Sequence, residues 1–321
     1  MSEGGPVSAG TGAGAEHRLG GVAGAGALAA VLFGSVVLLP ALALVALASP
    51  LPLAVQRLRN GAAAAWLATA FAAALVAAAT SAGGSAYFLL ALALPGLLLG
   101  ESLARGRGLL RGCTWAFALL VAEIAVALFF AGDTLAQRSV APFEHLRSEA
   151  FLSELRSSGV PAESITEFTE QVKVMRDAMA VVFPAVWIIA AAVVVIANAG
   201  LLRLYLLRRD PGWLEDGEFE RVRFPLALVA VFILSGAAVA VPGARPAAYN
   251  VLLVVAFFFA LQGLAVVAFY ARRLAAPPLL RAAVLVLVLA NPWAPQILAL
   301  LGLFDNWFDF RRWAEPPREK V

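Results

Sequence analysis

Residues 178–202 read AMAVVFPAVWIIAAAVVVIANAGLL, and no charged side chain interrupts them from Ala178 to Leu202. A helix crosses the hydrocarbon core of a bilayer with about 20 apolar residues, so this stretch is long enough for one crossing. Working outward, further apolar stretches occupy about 19–36, 39–55, 61–80, 86–100 and 112–132 on the N-terminal side. On the C-terminal side they occupy about 225–241, 247–271 and 277–304. The remaining residues cannot cover a globular surface: 62% of the chain is hydrophobic and 14% charged, against about 25% charged in a soluble domain. Sequence therefore predicts an all-α fold, a polytopic transmembrane helical bundle of about eight to ten spans with one extracytoplasmic helical loop.

The expected organisation is a disordered Gly/Ala-rich tail over 1–18, transmembrane helices over 19–132 and 178–308, an amphipathic helical loop over 133–177, and a tail over 309–321. Pro40, Pro50 and Pro52 interrupt the first apolar run, because proline lacks the N–H that a helix needs. Two short spans or one kinked helix both fit there. Asn291-Pro292 and Pro295 leave the same choice over 277–304. Small residues at Gly26, Ala30 and Gly34 permit a close helix approach.

Arginine placement orients the set. Arg57 and Arg59, then Arg105, Arg107 and Arg111, the five arginines from Arg203 to Arg223, and Arg272, Arg273 and Arg281 fall on one side. Arg245 and the loop at 133–177, with eight acidic and five basic residues, fall on the other. The arginine-rich side is expected to be cytoplasmic, with both termini there, in a bacterial inner membrane. Within the loop, Ile165, Phe168, Val172, Met175 and Met179 form one helical stripe, and Phe143, Leu146, Ala150 and Phe151 form another. They predict a helical hairpin on the outer mouth of the bundle, with a lid or partner-docking helix as the alternative.

Several function classes recede. Cys113 is the only cysteine, and His17 and His145 sit in unrelated segments, so no metal site and no cofactor is expected. Gly-x-Ser-x-Gly, the phosphate-binding loop, His-Glu-x-x-His and Cys-x-x-Cys are all missing, so no enzyme is expected. The net charge of +3 comes from arginines spread through loops, which argues against nucleic acid. Membrane lipids, a small-molecule substrate or a membrane-protein partner remain.

Charge inside a bilayer is costly and marks function or pairing. Glu123 is the clear case, between Val121-Ala122 and Ile124-Ala125-Val126. Asn198, Asn250, Gln262 and Asn291 are uncharged polar residues at membrane depth, suited either to hydrogen bonds between helices or to a ligand. Gln262-Gly263 removes bulk beside a polar group, and Asn291-Pro292 frees backbone carbonyls as in the broken helices of transporters.

The run Phe257-Phe258-Phe259-Ala260-Leu261-Gln262-Gly263, then Asn291-Pro292, then Gly302-Leu303-Phe304-Asp305-Asn306-Trp307-Phe308-Asp309-Phe310-Arg311 resembles the YybS-like family of predicted bacterial membrane proteins. Pro50-Leu51-Pro52 followed by Arg57 to Gly61 looks like the same family's N-terminal half. The resemblance covers about residues 19–313 and brings no established function. That family is distantly similar in topology to the substrate-binding subunits of energy-coupling-factor vitamin transporters and to MreD-type cell-shape proteins. The resemblance implies a small-molecule binding bundle or an envelope scaffold. The motif Asp305, Trp307, Asp309 and Arg311 reads as interfacial, with Trp307, Phe308 and Trp313 at headgroup level and Arg311 and Arg312 in the cytoplasm. Asp305 and Asp309, four apart, suit an arginine or a partner. The leading expectation is a non-enzymatic transport-related component with a substrate cavity near Glu123 and Gln262. A membrane scaffold for cell shape or division is the alternative, and an enzyme on lipid-linked substrates the third.

Overall fold

The computed structural model describes residues 11–214, 219–274, 277, 291 and 293–312. Among these residues the fold is all-α, a polytopic helical bundle without strands. The elements are α1 (Thr11–Leu38), α2 (Leu51–Ala79), α3 (Ala82–Ala104), α4 (Leu109–Leu146), α5 (Glu149–Ser157), α6 (Ala162–Arg209), α7 (Leu226–Ala238), α8 (Arg245–Arg273) and α9 (Ala294–Phe308). They form two compact units, one of Met1–Glu123 with Ala191–Asp216 and one of Ile124–Ala190 with Gly217–Val321.

In the first unit the close approach of helices comes from small side chains, since lipid offers no hydrophobic drive for helices to associate. A Cβ on Gly26 of α1 would stand 2.6 Å from the Ala68 carbonyl oxygen, so α1 and α2 touch backbone to backbone there. Gly34, in the same small-residue pattern, meets nothing within 4 Å. Ala29 and Phe33 of α1, Ala65, Ala68, Ala72 and Val76 of α2, and Phe88, Leu92 and Leu97 of α3 make one apolar core. Gly61 stands at φ +87, a conformation costly for any residue with a Cβ, and bends α2 into two pieces. The piece before it runs with α3, Pro50 facing Gly96 and Ala54 facing Gly100. The piece after it runs against α3, and Ser85 Oγ donates to the Ala73 carbonyl at 2.8 Å.

The expected separate crossing at 39–55 is corrected by this arrangement. Residues Pro40–Leu42 form a 3-10 turn, Ala43–Ala46 one helical turn, and Leu51 already opens α2. The chain bends at Gly61, where φ permits it, rather than in a loop at Arg57 and Arg59. The expected disordered tail is shortened too, because α1 begins at Thr11, while residues 1–10 lie outside the described residues.

In the second unit the expected loop at 133–177 is the overhang of two long helices. α6 counts 48 residues, more than twice the roughly 20 that a crossing takes, so the boundary expected at 178 falls inside a continuous helix. α4 counts 38 residues but leaves helical geometry at Ala131, at φ −141 and ψ 28, so its break stands beside the boundary expected at 133. Leu152, Ile165 and Val172 are buried in the overhang, and the Phe151 and Phe168 rings lie 6.2 Å apart. Met175 departs from its stripe and is 56% exposed. Arg176 Nε donates to Glu144 at 2.7 Å and Trp187 Nε1 to Ser139 Oγ at 2.9 Å, which ties α6 to α4.

Five helical segments among the described residues are long and apolar enough to cross a membrane, with shorter apolar helices at Gly20–Val36 and Leu226–Ala238. The choice of kinked helix or hairpin over 277–304 falls mostly on 278–290 and 292, outside the described residues. α8 and α9 run parallel, since the pairs Phe259–Gly302, Gln262–Asp305 and Tyr270–Phe310 rise together along both segments.

Candidate functional site

The densest polar cluster of the second unit is built on that parallel pair. Gly263 and Gly302 bring α8 and α9 into backbone contact: a Cβ on Gly302 would collide with the Phe259 carbonyl oxygen, and one on Gly263 with that of Leu298. One turn further on, Gln262 and Asp305 face each other with both side chains buried, and Gln262 Nε2 donates to Asp305 Oδ2 at 3.1 Å. The chain then turns back at Asp309, in the left-handed region at φ +43, where aspartate is better tolerated than most residues. That turn swings Arg311 under the end of α9, only 5% exposed.

Arg311 Nη2 donates to Asp305 Oδ2 at 3.2 Å and to the Val222 carbonyl at 2.9 Å, and Nη1 donates to the Glu220 carbonyl at 2.8 Å. The Phe310 N–H reaches Asp305 Oδ1 at 3.1 Å, and the Phe224 N–H reaches Gln262 Oε1 at 2.9 Å. Asp309 pairs with Arg223, and the Tyr270 hydroxyl donates to the Phe310 carbonyl at 2.6 Å. Burial pushes the Arg311 guanidinium down from its ordinary value, and Asp305 opposes that shift. The whole is a latch that holds α8, α9 and the segment 219–224 together.

The geometry changes several expectations. Arg311 is not in solvent: it is folded back as the buried counter-charge of Asp305, while Arg312 beside it is exposed. Trp307 does point outward, at 54% exposure, and Trp313 lies outside the described residues. Gln262 has both its oxygen and its nitrogen engaged by Phe224 and Asp305, so it does not offer them to a substrate cavity. The backbone acceptors at Glu220 and Val222 escaped sequence reasoning because a carbonyl carries no residue signature. The paired glycines at 263 and 302 were the available signal.

Asn250 does a different job. Pro184 disturbs the hydrogen-bond ladder of α6, and Asn250 of α8 fills the gap with its amide. Its Oδ1 accepts from the Ala185 N–H at 2.8 Å, and its Nδ2 donates to the Val181 carbonyl at 2.8 Å. The side chain therefore stands in for the i to i−4 bond between those two residues. Asn250→Ala is expected to lower stability by about 2 kcal/mol, because it strands two backbone groups rather than one side chain. Asn250→Asp should cost at least as much, because it turns the donor that serves the Val181 and Pro246 carbonyls into an acceptor-only oxygen. Thermal melting in a mild detergent measures both.

The other candidates are dispersed. Asn198 donates to the Val194 carbonyl at 2.9 Å within α6, leaving its buried Oδ1 without a hydrogen bond. Asn291 is exposed and accepts from the Trp293 N–H at 2.9 Å just before α9. Glu123 lies on α4 with Oε1 buried and no hydrogen-bond partner. Among the described residues no group of three or more His, Cys, Asp and Glu is placed to hold a metal ion.

A family model described as Predicted membrane protein (DUF2232) matches residues 27–306. The match agrees with the resemblance to YybS-like membrane proteins of unknown function. No curated protein and no solved structure matches the chain.

Proposed function

We propose a function for a chain that belongs to the predicted membrane protein family DUF2232: a non-enzymatic, transport-related component of a bacterial inner membrane, whose ligand meets Glu123. The observation that carries this reading is the buried Glu123 Oε1 without a hydrogen bond on an otherwise apolar stretch of α4. A carboxylate at membrane depth is kept at a cost unless a proton, a cation or a basic substrate group compensates it. Gln262, engaged in the latch, supports the helices and leaves Glu123 as the ligand contact.

The test is native mass spectrometry of the full chain released in mild detergent, with thermal shift against a panel of organic cations. Glu123→Gln should cut occupancy or shift by about tenfold, the scale of one lost charged contact, with the melting temperature held or raised. Unchanged occupancy in that variant, or no ligand and no shift in the wild type, overturns the reading.

One observation favours a scaffold as the second reading. α6 is far longer than the roughly 20 residues a crossing takes, and its N-terminal part exposes Val174 and Met175. Photo-crosslinking from position 175 in cells would capture one defined partner under this reading and none under the first.

A further inference from the structure

The end of the first unit where α3 gives way to α4 gathers arginines around one apolar plug. Leu99 and Leu103 of α3, Leu109 of α4, and Leu202 and Leu206 of α6 pack together there with Ala54 of α2. This packing brings the basic residues of four helices to one place, although they are far apart in sequence. Three are matched by acids: Arg57 and Arg105 share Glu101, Arg105 at 2.5 Å, and Arg59 Nη2 reaches Asp210 at 2.9 Å. Arg107, Arg111, Arg203, Arg208 and Arg209 have no acidic partner among the described residues, and all but Arg203 are exposed. Glu215 and Asp216, which follow, lie outside the described residues.

The α3–α4 turn is built to hold its charge at the helix ends. Gly106 at φ +65 and Gly108 at φ +77 let the chain reverse within a few residues. The Arg107 N–H donates to the Ser102 carbonyl at 2.9 Å, and Ser102 Oγ donates to the Gly108 carbonyl at 2.8 Å. Arg107 is thereby fixed just beyond the plug rather than left on a long loop. Trp213, 39% exposed, and Tyr205, whose ring centroid lies 5.6 Å from the Arg59 guanidinium carbon, add the aromatic pairing found at membrane interfaces.

We propose that this arginine-ringed end of the first unit binds the phosphate groups of anionic phospholipids. Guanidinium groups take phosphate oxygens in a planar, two-pronged fashion that a lysine cannot copy. A soluble phosphate would meet the same charges, but the arginines stand at the ends of apolar helices, with aromatic rings beside them, where a headgroup resides and its acyl chains can lie along the helices.

The experiment uses the full chain in mild detergent, incubated with phosphatidylglycerol, with phosphatidylcholine or with inorganic phosphate, and read by native mass spectrometry for retained lipid. The expected result is selective retention of phosphatidylglycerol, reduced about tenfold or more in R107Q/R111Q and in R208Q/R209Q, since each basic residue at an anionic surface adds appreciable affinity. Arg245→Gln, outside the first unit, should change nothing. Equal retention of both lipids, or unchanged selectivity in both double variants, overturns the proposal. So does displacement of the lipid by millimolar inorganic phosphate, which would identify a soluble-anion site. If the glutamine variants do not fold, a salt titration of the wild type decides. Selectivity must fall steeply with ionic strength, and a flat response overturns the proposal.

Discussion

Replacing Asp305 by alanine is expected to lower the stability of the second unit by about 3–5 kcal/mol, the usual cost of leaving a buried charge without its partner. Arg311 is the group stranded, and it cannot simply swing out. Its Nη1 and Nη2 are also held by the carbonyls of Glu220 and Val222, and its side chain is buried. The same substitution removes the acceptor of the Phe310 N–H and of Gln262 Nε2. Unfolding in detergent with increasing denaturant measures the effect. Asp305→Ala combined with Arg311→Leu should recover much of the loss, because replacing both members of a buried pair by apolar groups is far milder than removing one. Should the double variant be as unstable as the single one, the interaction with Asp305 is not what holds Arg311 in place.

The second large effect belongs to Gly302. A Cβ there would come within 2.7 Å of the Gly263 nitrogen and collide with the Phe259 carbonyl, and both obstacles are backbone that cannot rotate away. Gly302→Ala is expected to force α8 and α9 apart and cost about 3 kcal/mol, the upper end for overpacking. Gly302→Val should leave too little folded protein to purify. Gly200 of α6 is the control, with nothing within 4 Å of its Cβ position. Gly200→Ala should be neutral or stabilising by up to about 1 kcal/mol, from helix propensity alone. Comparable losses at both glycines would show that helix contact is not what makes Gly302 sensitive.

The membrane class and the helices were legible because apolar runs such as 178–202 admit few alternatives. Helix ends were less so. The apolar stripes of 133–177 announced helices, and the end of α4, α5 and the start of α6 occupy it, but where α6 passes into its apolar stretch left no mark, since Glu, Arg and Met are good helix formers and hydropathy reports solvent rather than conformation. Gly61 could not be recognised as a corner among many glycines, because a positive φ leaves no mark in composition. The candidate residues themselves were readable, but their partnerships were not. Gln262, Asp305 and Arg311 span about fifty positions, and only the parallel contact of α8 and α9 makes them neighbours. Glu123 needed no partner to be noticed, which is why it was visible from the start.

The splint that Asn250 supplies to α6 also has a consequence for biosynthesis. Chains are made from the N-terminus, so α6 with its Pro184 leaves the ribosome before Asn250 does. Until α8 follows, the Val181 carbonyl and the Ala185 N–H lack the amide that joins them, and lipid offers no substitute. A nascent chain halted after α6 should therefore be held by an insertase or degraded, and release should come only once α8 has entered the bilayer.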